Sequence, residues 1–490
     1  MSIRWAIGIA AGLTAFPMFC AAQTMRLEAE KATLTGPNLR VVGTKPPTNA
    51  TASNFSGTGY LTGFQTEADQ AVFQPLVKTG GLYELAIGYR SKGRRGYEIE
   101  VDGLKIDGML ESAANEQFGV QTLGRVELEP GLNTIAIHRG WGFYDVDYLE
   151  LTPVDSPAPV ARVTSPPIDP QGTTEARALL SRLEEAYGKT TMSGVYKDRD
   201  AQYVFNETGE RPAIMGGDLL AYSPQEIAHG THPERDGEVE RLIARSREGY
   251  LITLSWHWCS PAGMLDTKEE PWYKCFYTEA TRFDIAKAMA DPASSDYALL
   301  LSNIDAIAIQ LRKLQDANVP VLWRPLHEAE GGWFWWGAKG PKPFVQLWQL
   351  LYDRLTKTDG IHNLIWVYTS GGDLAWYPGD AYVDLIGIDA YPKDLRDPQS
   401  ALWEGMRKNF GDRKLLTISE FGGVPDIPRM QRMGEFWSYA VSWSDEEGPK
   451  KNPPGELRRI FATTGVGVQL APTSTEARPT EVRGSNLAVP

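Results

Sequence analysis

Between residues 24 and 153, apolar and polar positions alternate in short runs, as in Gly81–Tyr89, Tyr97–Val101 and Asn133–His138. Such alternation marks strands with one buried face, and the Asp102-Gly103 and Pro130-Gly131 pairs read as turns between them. No long helical period interrupts the region, so the pattern predicts an all-β sandwich, jelly-roll-like, over 24–153. From 154 to 171 periodicity gives way to dense proline, which reads as a stiff linker.

From 172 to 468 the pattern changes again. Eight short apolar runs read as strands: Ser193–Tyr196, Pro212–Asp218, Leu251–Trp256, Pro320–Pro325, Leu364–Tyr368, Leu385–Asp389, Leu415–Ser419 and Tyr439–Trp443. Helical periods separate several of them, including Thr174–Tyr187, Ala298–Asp316 and Phe344–Lys357. Apolar strands alternating with amphipathic helices predict a parallel sheet covered by helices, and eight repeats predict a (β/α)₈ barrel. A doubly wound open sheet competes, but no glycine-rich phosphate loop supports it.

The ends of the chain add a location. Arg4, the mostly apolar stretch Trp5–Phe19 and the small residues near Ala22 form an expected signal peptide over 1–22, with a retained anchor as the competing reading. Secretion, to the exterior or a periplasm, is the expectation. Residues 469–490 are rich in Pro, Thr and Ser and read as a disordered tail. Removal of the leader would leave Cys259 and Cys275, either as a disulfide or as two buried thiols. The net charge of −13 disfavours a polyanionic partner such as nucleic acid and suits a neutral polysaccharide. No Cys/His cluster has zinc spacing.

Candidate chemistry gathers at the C-terminal strand ends, where barrel enzymes place their working residues. These ends carry Trp256-His257-Trp258, Arg324-Pro325-Leu326-His327-Glu328, Asp389-Ala390-Tyr391, Ser419-Glu420-Phe421-Gly422 and Trp443-Ser444-Asp445. Glu328 and Glu420 follow strands four and seven, so their carboxyls can face each other across the barrel mouth. Glycoside cleavage requires such a pair, one carboxyl protonating the leaving oxygen while the other attacks or activates water. A lone strand-end glutamate is more often a salt-bridge partner; two beside aromatic and histidine neighbours favour catalysis. The loop Gly331–Gly337 adds Trp333, Phe334, Trp335 and Trp336. Phe334 and Trp335 are expected to plug the barrel top, leaving Trp333 and Trp336 to meet sugar rings.

The segments Trp323–Glu328 with Gly331–Gly337, and Ile418–Gly422, resemble the acid/base and nucleophile segments of glycoside hydrolase family 26. That resemblance implies a retaining endo-β-1,4-mannanase with Glu328 as acid/base and Glu420 as nucleophile. It implies β-mannan and manno-oligosaccharides as substrates, no cofactor for catalysis, and a substrate-binding set of His257, Arg324, His327, Trp333, Trp336, Asp389, Tyr391 and Trp443. Within that set His327 and Arg324 would position the glutamates, and Tyr391 would hydrogen-bond the nucleophile. Ala329-Glu330 departs from the family pattern, leaving open whether Glu330 tunes the acid or caps the loop. Exo-action releasing mannobiose, another β-glycan as substrate, and a silent mannan-binding protein stay as alternatives.

Leu27-Glu28-Ala29-Glu30 and the segment Gly140–Leu151 resemble carbohydrate-binding module family 35. This implies that the first and last strands pair and bring Glu28, Glu30 and Asp147 together as oxygen ligands for a structural Ca²⁺. Ordinary surface carboxylates are the competing reading. Trp141, in a glycine-flanked loop, is the expected sugar-stacking residue, with Tyr60 second. A monomer is expected, with no membrane contact once the leader is removed.

Overall fold

A computed structural model describes residues 23–43, 54–155, 157, 160–230 and 237–469. The expected leader, and all of the expected tail except Gln469, lie outside the described residues. Two layers of antiparallel strands form the N-terminal unit. One sheet has six strands in the order Gly119–Leu128, Gly81–Ser91, Tyr144–Pro153, Gly59–Thr62, Arg40–Gly43, with Met25–Glu28 also on Tyr144–Pro153. The other has five, in the order Thr33–Thr35, Gln70–Phe73, Ile135–His138, Arg95–Val101, Leu104–Leu110. Leu85, Ile87, Ile99, Ile137 and Leu149 are fully buried between them, as the alternation requires. The hairpin from Val101 to Leu104 closes over Asp102-Gly103, both at positive φ (48° and 80°), where glycine relieves the steric cost of a two-residue turn.

The second unit is a closed parallel barrel: β1 (Thr191–Val195), β2 (Ile214–Asp218), β3 (Leu251–Trp256), β4 (Val321–Pro325), β5 (Leu364–Thr369), β6 (Leu385–Ala390), β7 (Leu415–Phe421) and β8 (Tyr439–Ser442). Pairing runs in chain order and returns from β8 to β1, and β1 also pairs β2. Every residue of β4 and β5 is buried, which explains why both read as apolar runs, broken in β4 only by Arg324. The covering helices follow their stripes. Ser295–Asp316 starts where Ser294 accepts from the Tyr297 N–H, and it buries Leu300, Ile304, Ile307, Leu311 and Leu314. The predicted helix Phe344–Lys357 begins earlier, at Pro341, whose missing N–H costs nothing in a first turn. It gives way to a π-helical turn over Arg354–Thr358.

The proline-rich segment holds no helix or strand among the described residues, yet it is tied to the barrel. Val163 is buried in the barrel core, and the Ile168 N–H donates to Asp384 at 2.9 Å. A polar seam joins the two units directly. Lys393 and Lys105 both pair with Glu98, Arg125 pairs with Glu404, and the Asp107 N–H donates to Asp397 at 3.3 Å.

Burial pushes the Asp397 carboxyl in this seam up to about 7, with Asp107 and Asp394 adding repulsion against the N–H groups of Gln399 and Asp107. In the unfolded chain an aspartate ionises near ~4. From there to about 7 the folded protein keeps a proton that the unfolded chain has lost, so this group's contribution falls as pH rises through that window. Calorimetric unfolding midpoints of Asp397→Asn should therefore decline less than those of wild type over the same window. Equal declines would contradict the assignment.

Candidate active site

The two glutamates reach the barrel mouth by different local means. Glu420 lies within β7, buried, where an irregularity in pairing with β6 sets it opposite Asp389. Glu328 follows β4 on a turn in which Leu326 and Glu328 both take positive φ, 49° and 54°. Non-glycine residues in that region cost ~1–3 kcal/mol each and persist only where surroundings impose them. Here Leu326 is buried and the Trp336 indole N–H holds the intervening His327 carbonyl at 2.9 Å.

Arg324 organises the floor. It is wholly buried and donates to Asp389 at 2.7 Å, to the Tyr196 hydroxyl at 3.2 Å, to Ser255 at 3.3 Å and to Glu420. Ser419 steadies Asp389 from the other side at 2.8 Å. The Tyr391 phenol donates to the second oxygen of Glu420. A carboxylate oxygen from each of Glu328, Asp389 and Glu420 lies within 4.8 Å of the others.

Three acids this close cannot all ionise at neutral pH. Burial pushes Glu420 upward and Asp389 adds to that, while Arg324 and the Tyr391 hydrogen bond oppose it. Burial pushes Glu328 further, to about 9, reinforced by Asp389 and Glu420. Arg324 touches Glu420 but not Glu328, so the first proton lost by the pair is that of Glu420. Glu328 accepts from the Trp333 indole N–H at 3.0 Å, a bond compatible with either protonation state.

A histidine pair borders the glutamates. His257 Nδ1 meets Asp218 at 2.6 Å, and its Nε2 faces His327 Nε2 at 3.1 Å. Burial, with Arg324 and His257 nearby, keeps the His327 pKa well below its usual value, so that ring is neutral. Asp218 was not among the sequence candidates, although it ends β2 as the others end their strands; its role depends on a neighbour 39 residues away.

The structure brings together His257, Arg324, His327, Trp333, Asp389, Tyr391 and Trp443 around the two glutamates. Trp333 is 47% exposed and Tyr391 43%. Trp443 is partly exposed and packs edge-on to Tyr196. Arg324 and His327 are buried, Arg324 bonding Glu420 and His327 facing His257 rather than a ligand. Trp336 corrects an expectation: with no exposed surface it cannot stack on a sugar. Three of the four loop aromatics pack inward, Phe334 and Trp335 as expected and Trp336 with them, because the turn carrying Glu328 needs its indole N–H beneath it. Glu330 caps a loop: it accepts from the Gly371 and Asp373 N–H groups at 2.6 and 3.2 Å.

In the N-terminal unit Met25–Glu28 pairs with Tyr144–Pro153, as the sequence suggested. Glu28, Glu30 and Asp147 converge on residues 56–58. Ser56 donates to Glu28 at 2.8 Å and, through its N–H, to Asp147 at 2.9 Å, and the Thr58 N–H donates to Glu30 at 2.8 Å. Trp141 is 66% exposed beside Arg95. Tyr60 instead lies half-buried against Phe55, Phe118 and Arg90, which leaves it little free face. Cys259 and Cys275 form a disulfide.

Residues 168–466 match glycosyl hydrolase family 26, and residues 25–154 match carbohydrate binding module family 35. The chain belongs to glycosyl hydrolase family 26. It is a glycoside hydrolase with a family 35 module before the barrel. A mannan endo-1,4-beta-mannosidase of Thermothelomyces thermophilus is 38% identical over 90% of this chain and 88% of its own length. The Podospora anserina GH26-CBM35 β-(1,4)-mannanase has the same architecture, with TM-score 0.64 and 35% identity over 91% of this chain and 98% of that one. A ruminal GH26 endo-β-1,4-mannanase aligns over 93% of this chain and 98% of its own at 26% identity, also with TM-score 0.64.

Proposed function

We propose that this chain is a secreted endo-β-1,4-mannanase that works with retention of anomeric configuration. The carrying observation is that an oxygen of Glu328 and an oxygen of Glu420 lie within 4.8 Å of each other, with Arg324 bonded to Glu420 alone of the two. Retaining enzymes space their carboxyls ~5–5.5 Å apart and inverting ones ~6.5–9.5 Å. Mannan as substrate is supported by the activities named for the Thermothelomyces and Podospora relatives. Secretion is supported by the Cys259–Cys275 disulfide, a bond favoured in oxidising compartments.

Ionised Glu420 attacks the anomeric carbon as the bond to the leaving oxygen breaks. Glu328 gives its proton to that oxygen, and one half of the chain departs. The resulting glycosyl ester removes the negative charge on Glu420, so Glu328 is now the base. It takes a proton from water as the water oxygen attacks the anomeric carbon and frees Glu420. Arg324 and Tyr391 hold Glu420 in its attacking position throughout, and Trp333 and Trp443 offer ring faces to the sugars at the cleavage point.

Chromatography of products from linear β-1,4-mannan, xylan and mixed-linkage β-glucan tests the substrate. A ladder of manno-oligosaccharides is expected. Mannobiose alone from the outset would make the enzyme exo-acting, and products only from xylan or glucan would reassign its substrate.

A structural Ca²⁺ held by the module's carboxylates would draw their oxygens closer than they stand, since Glu28, Glu30 and Asp147 are not among the described groups whose oxygens all lie within 4.8 Å of one another. Glu30 keeps one oxygen buried without a partner. Burial, and to a lesser extent the nearby Glu28 and Glu30 charges, push Asp147 upward against the bonds from Ser56. Glu28, Glu30 and Asp147 would hold the ion and fix the first strand to the last. Added Ca²⁺ at ~100-fold over its Kd should stabilise the module by about 2.7 kcal/mol, read as a chelator-reversible rise in unfolding midpoint. Asp147→Asn should abolish that rise; a wild-type midpoint indifferent to Ca²⁺ would reject the site.

A further inference from the structure

A cavity of about 390 Å³ lies at the junction of module and barrel. Asp389 and Tyr391 line it from the barrel side, and Tyr391 is also the residue whose phenol donates to Glu420. From the module it is lined by Arg94, Met109 and Glu111. We propose that this cavity is a distal subsite of the catalytic cleft, built jointly by module and barrel. Its occupant would be a pyranose of the same polysaccharide chain that is cut between Glu328 and Glu420. This rests on the mannan reading above and adds to it where the chain runs.

The volume falls within the ~300–1,000 Å³ typical of small-ligand sites. The lining has the two kinds of surface a pyranose needs. Met109 is 36% exposed and offers an apolar face for ring C–H groups. Arg94 and Glu111 pair at 3.2 Å with more than half of each side chain exposed, so both keep donor and acceptor capacity for hydroxyls. The walls are fixed. Glu330 pins the Gly371–Asp373 loop, and the Glu98, Lys105, Lys393, Arg125 and Glu404 seam holds the module in place, so a sugar arriving there orders little. The same module edge leads onward to the exposed Trp141, because Gly96, two residues after Arg94, donates its N–H to the Trp141 carbonyl at 2.9 Å. Cleft, cavity and stacking residue thus follow one another, and module binding becomes part of substrate positioning rather than a separate tether.

The test compares full-length wild type with Arg94→Ala/Glu111→Ala and with Met109→Trp, which fills the cavity. kcat/KM is measured on linear manno-oligosaccharides from mannotriose to mannohexaose, with unfolding midpoints checked alongside. Both variants should keep wild-type rates on the shorter substrates and lose about tenfold on the longer ones, the change expected from ~1.4 kcal/mol of lost binding. They should also move the bond cleaved in mannohexaose. Rates unchanged at every length, or lowered equally at every length, would overturn the subsite while leaving the mannanase reading intact. Wild type inactive on all four would overturn the mannanase reading and the subsite together.

Discussion

Glu420→Ala should lower kcat on β-mannan by on the order of 10⁴–10⁶-fold, the scale on which enzymes lose turnover when a covalent nucleophile is removed. Glu420 is the carboxylate that Arg324 and Tyr391 both grip, and it sits in a strand rather than a loop. Among the described residues no other carboxyl is placed to do its work. Asp389 is the third acid of the cluster, but Arg324 and Ser419 hold it at the floor. The fold should survive, because Arg324 keeps Asp389 as a partner when Glu420 is gone and no buried cation is left unpaired. Affinity for manno-oligosaccharides, measured by titration calorimetry, should stay near that of wild type. Residual turnover within tenfold of wild type would remove Glu420 from the nucleophile's role.

Glu328→Ala should have a smaller effect with a different signature. General acid–base catalysis contributes ~10²–10⁴-fold, so mannan hydrolysis should fall by that much. An aryl β-mannoside with a good leaving group needs little protonation. It should still form the glycosyl ester and then wait for a base to activate water. Azide needs no base, so it should restore turnover and yield a β-mannosyl azide. The pH profile supplies a second check. Glu328 is pushed to about 9, so it stays protonated below that value, and wild-type kcat/KM should fall as pH rises through it. The alanine variant should lack that alkaline limb. An unchanged limb, or no rescue by azide, would place the acid elsewhere.

The barrel was legible because its strands are buried on both faces. Leu251–Trp256 could be bounded from sequence alone, and Val321–Pro325 missed by one residue. The glutamates were legible because strand ends face the mouth of any such barrel. What could not be read was depth and distance. Trp333 and Trp336 lie in one aromatic loop, yet one is half-exposed and the other wholly buried, because a turn three residues long had to be supported from below. Neither residue carries that information in its neighbours. The Asp218–His257–His327 line depends on the register in which β2, β3 and β4 pair side by side, which brings together strand ends 39 and 70 residues apart. The seam is further still from local pattern: Lys393 reaches Glu98 across 295 residues, and the cavity beside it exists only because the module is docked.

Proton NMR of wild type acting on mannohexaose, followed from the first seconds, tests the central claim most directly. It reads at once whether a β-1,4-mannosidic bond is cut and which anomer is released. Double displacement by Glu420 and Glu328 requires the β-anomer to appear first and the α-anomer to grow in only by mutarotation. Initial release of the α-anomer would mean single displacement by water and would contradict the role given to Glu420.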